Sequence, residues 1–140
     1  MLRSRQPSQD TALLAFGSSA GWSVSIDESI QEDEQYTIEI EGPQFYVTFI
    51  PKSLAIIGEA IAFLDQGLAR LPQHLQAETL GELSLGKWGA AAVTLIWDNE
   101  GSARCVLLIG PHRNCTLRFE LHEPEIRAVL DALKQAVVEL

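Results

Sequence analysis

Two stretches alternate strictly between apolar and polar residues, YTIEIE at 36–41 and FYVTF at 45–49. Successive side chains of a strand point to opposite faces. Tyr36, Ile38 and Ile40 therefore share an inward face with Phe45, Val47 and Phe49, and Thr37, Glu39, Glu41, Tyr46 and Thr48 turn outward. Matching the faces puts Ile40 opposite Phe45 and Glu39 opposite Tyr46, with the turn around Gly42-Pro43. Upstream, the segment from Trp22 to Ile26 also alternates as a strand, and Ala12 to Phe16 is a short apolar run that supplies a further strand.

Pro51 stops this sheet, and Ser53 caps a helix that runs to about residue 71, before Pro72. Leu54, Ile57, Ile61, Leu64, Leu68 and Leu71 recur at steps of three and four, and Ile56, Ala60 and Phe63 widen the stripe, so much of this helix has to be covered. The same plan then returns. Strands are expected near 79–85, 90–97, 103–109 and 115–121, followed by a helix from about Pro124, a good first-turn residue, to Leu140. Equivalent positions lie 68 residues apart at Gly42/Gly110, 70 at Phe49/Phe119 and 69 at Ile57/Ile126. In the second helix Ala128, Ala132 and Ala136 form a stripe of small residues that admits a close neighbour, for which the first helix is the expected mate.

The pattern predicts an α+β fold: a tandem ββββα repeat, antiparallel sheets with two packed helices. Residues 1–20 are expected as a partly flexible N-terminus holding one short strand, and residues 21–140 as a single pseudo-symmetric domain, with repeat one at about 21–72 and repeat two at about 78–140. This order of elements, together with Gly21-Trp22 ahead of an early strand, resembles the single-stranded DNA-binding transcriptional regulator fold of transcription positive cofactor four and the Whirly proteins. It looks especially like the small cyanobacterial members of that fold. The resemblance covers about Trp22 to Leu140 and implies that the outer sheet face is where nucleic acid would lie.

Charge cuts against that implication. The chain has 140 residues, 19 acidic and 10 basic, with a formal net charge of -9, which repels polyanions at long range. Its 46% hydrophobic and 21% charged content is that of a globular chain, and no apolar run reaches the ~18 residues that span a bilayer. The opening MLRSRQPSQDTALLAFGSSAG has some features of a signal peptide, but its apolar core, Ala12 to Phe16, is short and follows Asp10, so a cytoplasmic protein with no membrane contact is expected.

Few residues are spaced for chemistry. GSSAG at 17–21 spells the nucleophile-elbow motif but is followed by a strand, so it reads as a turn. Cys105, His112, Cys115 and His122 have metal-capable side chains, but on the expected hairpin the cysteines sit inside, His112 in the turn and His122 at the far end, which spreads them too widely for zinc. DESIQEDE lacks the ligand spacing and glycine of a calcium loop and reads as a solvated turn. No catalytic residue, metal or cofactor is expected. The candidate binding residues are Tyr46 on the first outer face and Arg104, Arg113 and Arg118 around the second, with Arg104 set to pair across strands with Glu120. The function expected is a non-enzymatic interaction module, protein-binding or scaffolding, using its apolar helical surface or an uncovered sheet face on an unknown protein partner or in self-association. The alternative is a single-stranded nucleic-acid-binding, transcriptional regulator-like protein using the second-half sheet.

Overall fold

The computed structural model describes residues 11–31, 35–69, 81–98, 104–110 and 117–140. Four strands, β1 (Thr11–Ser19), β2 (Trp22–Ser29), β3 (Tyr36–Gly42) and β4 (Phe45–Pro51), lead into helix α1 (Ala55–Ala69). Four more, β5 (Gly81–Trp88), β6 (Ala91–Asp98), β7 (Arg104–Gly110) and β8 (Leu117–Leu121), lead into α2 (Glu123–Val138). The strands form one antiparallel sheet of eight in sequence order, not two separate sheets. The joint between β4 and β5 is narrow, comprising the pairs Ile50–Lys87 and Pro51–Gly86. Pro51 does not stop the sheet, then. It is the last paired residue of β4, and Gly86 is there because a Cβ would lie 2.8 Å from the Pro51 Cα and closer still to the Ile50 carbonyl.

Strand faces follow the alternation. Trp22, Val24 and Ile26 of β2, Ile38 and Ile40 of β3, and Val47 and Phe49 of β4 are buried inward, as are Val93, Leu95 and Trp97 of β6 and Cys105, Leu107 and Ile109 of β7. The β3–β4 register differs from the sequence expectation by two residues: Ile40 faces Val47, Glu41 faces Tyr46 and Gly42 faces Phe45, which leaves the two-residue turn Pro43-Gln44. A shift of two preserves every side chain's face, so the apolar pattern could not tell the two registers apart. Gly42 is required here, since a Cβ on it would stand 2.7 Å from the Trp22 ring. At the β1–β2 corner Ala20 and Gly21 both have positive φ, 49° and 85°, the geometry of a two-residue primed turn whose twist suits a hairpin.

Both helices contribute to the core beneath the inner face. Ile56, Ile57, Ala60, Leu64 and Leu68 of α1 and Ile126, Val129, Leu130 and Leu133 of α2 are buried. Ile56 and Ile57 donate their N–H groups to the carbonyls of Ser53 and Leu54 as α1 begins. The start of α2 is fixed by Glu125, whose carboxylate accepts the His122 N–H at 3.0 Å. Gly67 costs α1 about 1 kcal/mol in helix propensity relative to alanine. It is the place where the buried Trp97 ring lies on the helix, with its Nε1 donating to the Phe63 carbonyl at 2.9 Å, and a Cβ would overlap that ring. Burying an aromatic ring returns more than the propensity lost.

The alanine stripe of α2 has a different neighbour from the one expected. The helices do touch, and Lys134 bridges to Asp65 at 3.3 Å. The closest approach, however, is to β1: a Cβ on Gly17 would sit 2.9 Å from the Ala132 carbonyl carbon and the Ala136 nitrogen, and nearer still to the Ala132 oxygen. Glycine facing alanine lets a strand lie directly on a helix backbone. From that position α2 also satisfies the outer edge of β1, with Phe16 N–H donating to Glu139 Oε1 at 2.8 Å and Ser18 N–H to Gln135 Oε1 at 3.1 Å.

Candidate functional site

The space between sheet and helices is no ligand pocket. Its cavity is about 30 Å³, lined by apolar residues such as Ile57, Leu64, Leu95 and Leu133. That is about the volume share of a single water molecule, and such a site stays dry. Cys105 opens onto no reactive surface either: burial pushes its thiol up to about 12 from 9.0, so it remains protonated and unreactive near neutrality. Among the described residues no group of three or more His, Cys, Asp or Glu converges as a metal site. His122 is exposed at the head of α2, while His112 and Cys115 lie outside the described residues. No helix among the described residues is long and apolar enough to cross a membrane.

Among the described residues two open grooves stand out. One, of about 500 Å³, lies between the β1–β2 turn and α2, with Asp65, Arg127, Asp131 and Lys134 on its rim. Its cations are already engaged, Lys134 with Asp65 at 3.3 Å and Arg127 with Glu123 at 2.9 Å. The other, of about 560 Å³, separates the β3–β4 turn from β8 and is lined by Trp22, Phe45 and Phe119 among polar residues. There the curled sheet brings its parts together: the Phe45 and Phe119 rings meet edge to face at 4.8 Å, and Trp22 tilts onto Phe45 at 5.4 Å.

Of the four residues picked from the sequence, Tyr46 stands on the outer face of β4 and gives its hydroxyl proton to Glu39 Oε1 at 2.8 Å. Arg118, on β8, lies 3.9 Å from Glu120. Their strand neighbours Phe45 and Phe119 are in ring contact. Arg104 opens β7, opposite Asp98 in register. Arg118 faces Leu108, four positions further along β7, which separates the two arginine backbones by roughly 13 Å along the strand. Glu120 faces Val106 between them and so stands diagonal to Arg104 across the β7–β8 pair. Arg113 lies outside the described residues.

The outer face of β1–β4 is more distinctive. From Thr11 to Pro51 the chain has no lysine or arginine. Across this face run Ser25 and Asp27 of β2, both buried, then Thr37, Glu39 and Glu41 of β3, and Tyr46 and Thr48 of β4. Leu13 and Phe16 of β1 and Ile50 of β4 are exposed on its two flanks. Reasoning from sequence missed these three. The signal for Leu13 and Phe16 was masked by an irregularity between Leu13 and Ala15, which breaks the two-residue period inside β1. No known family model matches this chain, and comparison with characterised proteins and with solved structures returns no match.

Proposed function

We propose that the chain is a non-enzymatic protein-interaction module that engages its partner through the outer face of β1–β4. The observation that carries this reading is the surface itself. Exposed Leu13, Phe16, Tyr46 and Ile50 flank a centre of Glu39 and Glu41 in a stretch without any basic residue. Exposed apolar side chains rimmed by charge of one sign suit a protein partner of opposite charge. The helical stripe, the other surface open to this role from sequence, is largely turned into the core.

In the same reading the chain is a tandem ββββα repeat, supported by two successive runs of four strands and a helix and by the near-constant spacing of matching residues. Its kinship to the single-stranded DNA-binding transcriptional regulator fold rests on that element order. Nucleic-acid binding is the weaker reading, because Arg104 and Arg118 are far apart and Glu120 lies between them. Fold kinship does not carry function across.

Fluorescence anisotropy separates the two. A labelled Lys/Leu-rich peptide is expected to bind, and Glu39→Lys with Glu41→Lys to weaken it. A labelled single-stranded oligonucleotide is expected to show no tight binding near physiological salt. Submicromolar oligonucleotide binding that Arg104→Glu and Arg118→Glu abolish would overturn the proposal.

A further inference from the structure

The sheet ends on β1 and β8, and the two edges differ. The outward N–H groups of Phe16 and Ser18 on β1 are engaged by α2 side chains. β8 pairs with β7 on one side, and along its other side runs the groove of about 560 Å³. Its sequence, Leu117-Arg118-Phe119-Glu120-Leu121, has a symmetry that matters only for an edge strand. Apolar residues stand at both ends and at the centre, and the two intervening positions carry opposite charges.

We infer that β8 is a self-recognition edge, on which a second copy of this chain pairs antiparallel about a two-fold axis through Phe119. In that register Phe119 faces Phe119 of the second copy, Leu117 faces Leu121, and each Arg118 faces a Glu120. An isologous contact requires a surface complementary to itself, and a strand whose charges exchange on reversal meets that condition. Leu117, 54% exposed in the single chain, gains an apolar neighbour in each copy. Arg118 and Glu120, whose side chains are each 43% exposed, gain an opposite charge directly across without giving up their 3.9 Å contact within the strand. A slip of one residue in either direction removes both charge pairs and the central aromatic pair, so this register is the favoured one. The product is a continuous sheet of sixteen strands. Five residues on each side make a small contact, well below the area of a permanent dimer, so the association is weak and depends on concentration.

Sedimentation equilibrium on the whole chain, from micromolar to near-millimolar protein, tests this. The wild type is expected to dimerise reversibly. Arg118→Glu sets glutamates face to face at both charge pairs, Glu120→Arg does the same with arginines, and each is expected to weaken the dimer by at least about tenfold. The double exchange, Arg118→Glu with Glu120→Arg, restores the complementarity and is expected to recover the wild-type constant. Far-ultraviolet circular dichroism and the melting temperature establish that each variant is folded. A wild type monomeric throughout the range would overturn the inference, as would single variants that dimerise normally or a folded double variant that fails to recover. These readouts do not involve Glu39 or Glu41, so peptide binding by the outer face stands or falls separately.

Discussion

Two glycine-to-alanine substitutions test the packing of β1 on α2, because the structure assigns them opposite signs. At Gly17 a new Cβ would overlap the Ala132 carbonyl oxygen, with the Ala132 carbon and the Ala136 nitrogen each at 2.9 Å. These are backbone atoms of a helix, which no rotamer change can move aside. Reaching even 3.0 Å demands that β1 and α2 separate by about 1 Å, and such a displacement takes the Phe16–Glu139 and Ser18–Gln135 bonds, now 2.8 and 3.1 Å, out of hydrogen-bonding range. Overpacking costs about 1–3 kcal/mol, and each lost bond about 1 kcal/mol. The expected loss is thus about 3–5 kcal/mol, a large part of the 5–15 kcal/mol that holds a typical domain folded.

Gly58 lies in α1 with nothing within 4 Å of its would-be Cβ. There alanine improves helix propensity and restricts the unfolded chain, a gain of about 0.5–1 kcal/mol. Urea denaturation followed by tryptophan fluorescence reads both, since Trp22 and Trp97 are buried. For a slope near 2 kcal/mol/M, Gly17→Ala should lower the midpoint by about 1.5–2.5 M and Gly58→Ala should raise it by a few tenths. A Gly17→Ala midpoint within error of the wild type would refute the close approach of β1 to α2. Loss of stability in Gly58→Ala would refute its placement on an open helix face.

Other outcomes follow from single contacts. Cys105 should resist a thiol reagent at neutral pH until the protein is unfolded. Because its thiol ionises near 12 when folded and near 9.0 when unfolded, stability should be intact below pH 9 and decline toward pH 12, and Cys105→Ala should flatten that decline. Trp97→Phe removes the indole donor to the Phe63 carbonyl and leaves space against Gly67, so a loss of about 1–3 kcal/mol is expected in thermal unfolding. Gln135→Ala with Glu139→Ala strips the acceptors from the β1 edge, and faster hydrogen exchange at Phe16 and Ser18 is the expected signature, with any new association arising at an edge distinct from β8.

The strands were legible wherever large inward residues alternate with polar outward ones, as in Ile38-Glu39-Ile40 and Val47-Thr48-Phe49. β1 was read short for the opposite reason. Its inward positions are Ala15 and Gly17, chosen small to meet the α2 backbone, while the bulky Leu13 and Phe16 face out. A stripe of small residues announces a close approach without naming the neighbour, and Ala128, Ala132 and Ala136 were accordingly matched to the other helix when Gly17 was the nearer mate. The joint between β4 and β5 was invisible because its pairs link residues on either side of α1, and no local period records such a contact. Glu139 shows the same limit. A carboxylate at a helix C-terminus opposes the helix dipole, which looks like a misplaced charge until the Phe16 N–H is found against it.

For the surface, composition could be read and position could not. The absence of basic residues from Thr11 to Pro51 is plain in the sequence, and a face without them repels phosphate. The second face looked basic because Arg104 and Arg118 share a side of their strands, and only the β7–β8 register placed Glu120 between them. That register also changes the meaning of Arg118. As a member of a phosphate-binding row it needs Arg104 close by, which the strand spacing denies. As one half of a charge pattern that reverses about Phe119, it needs only Glu120 and a second β8, and the chain supplies both.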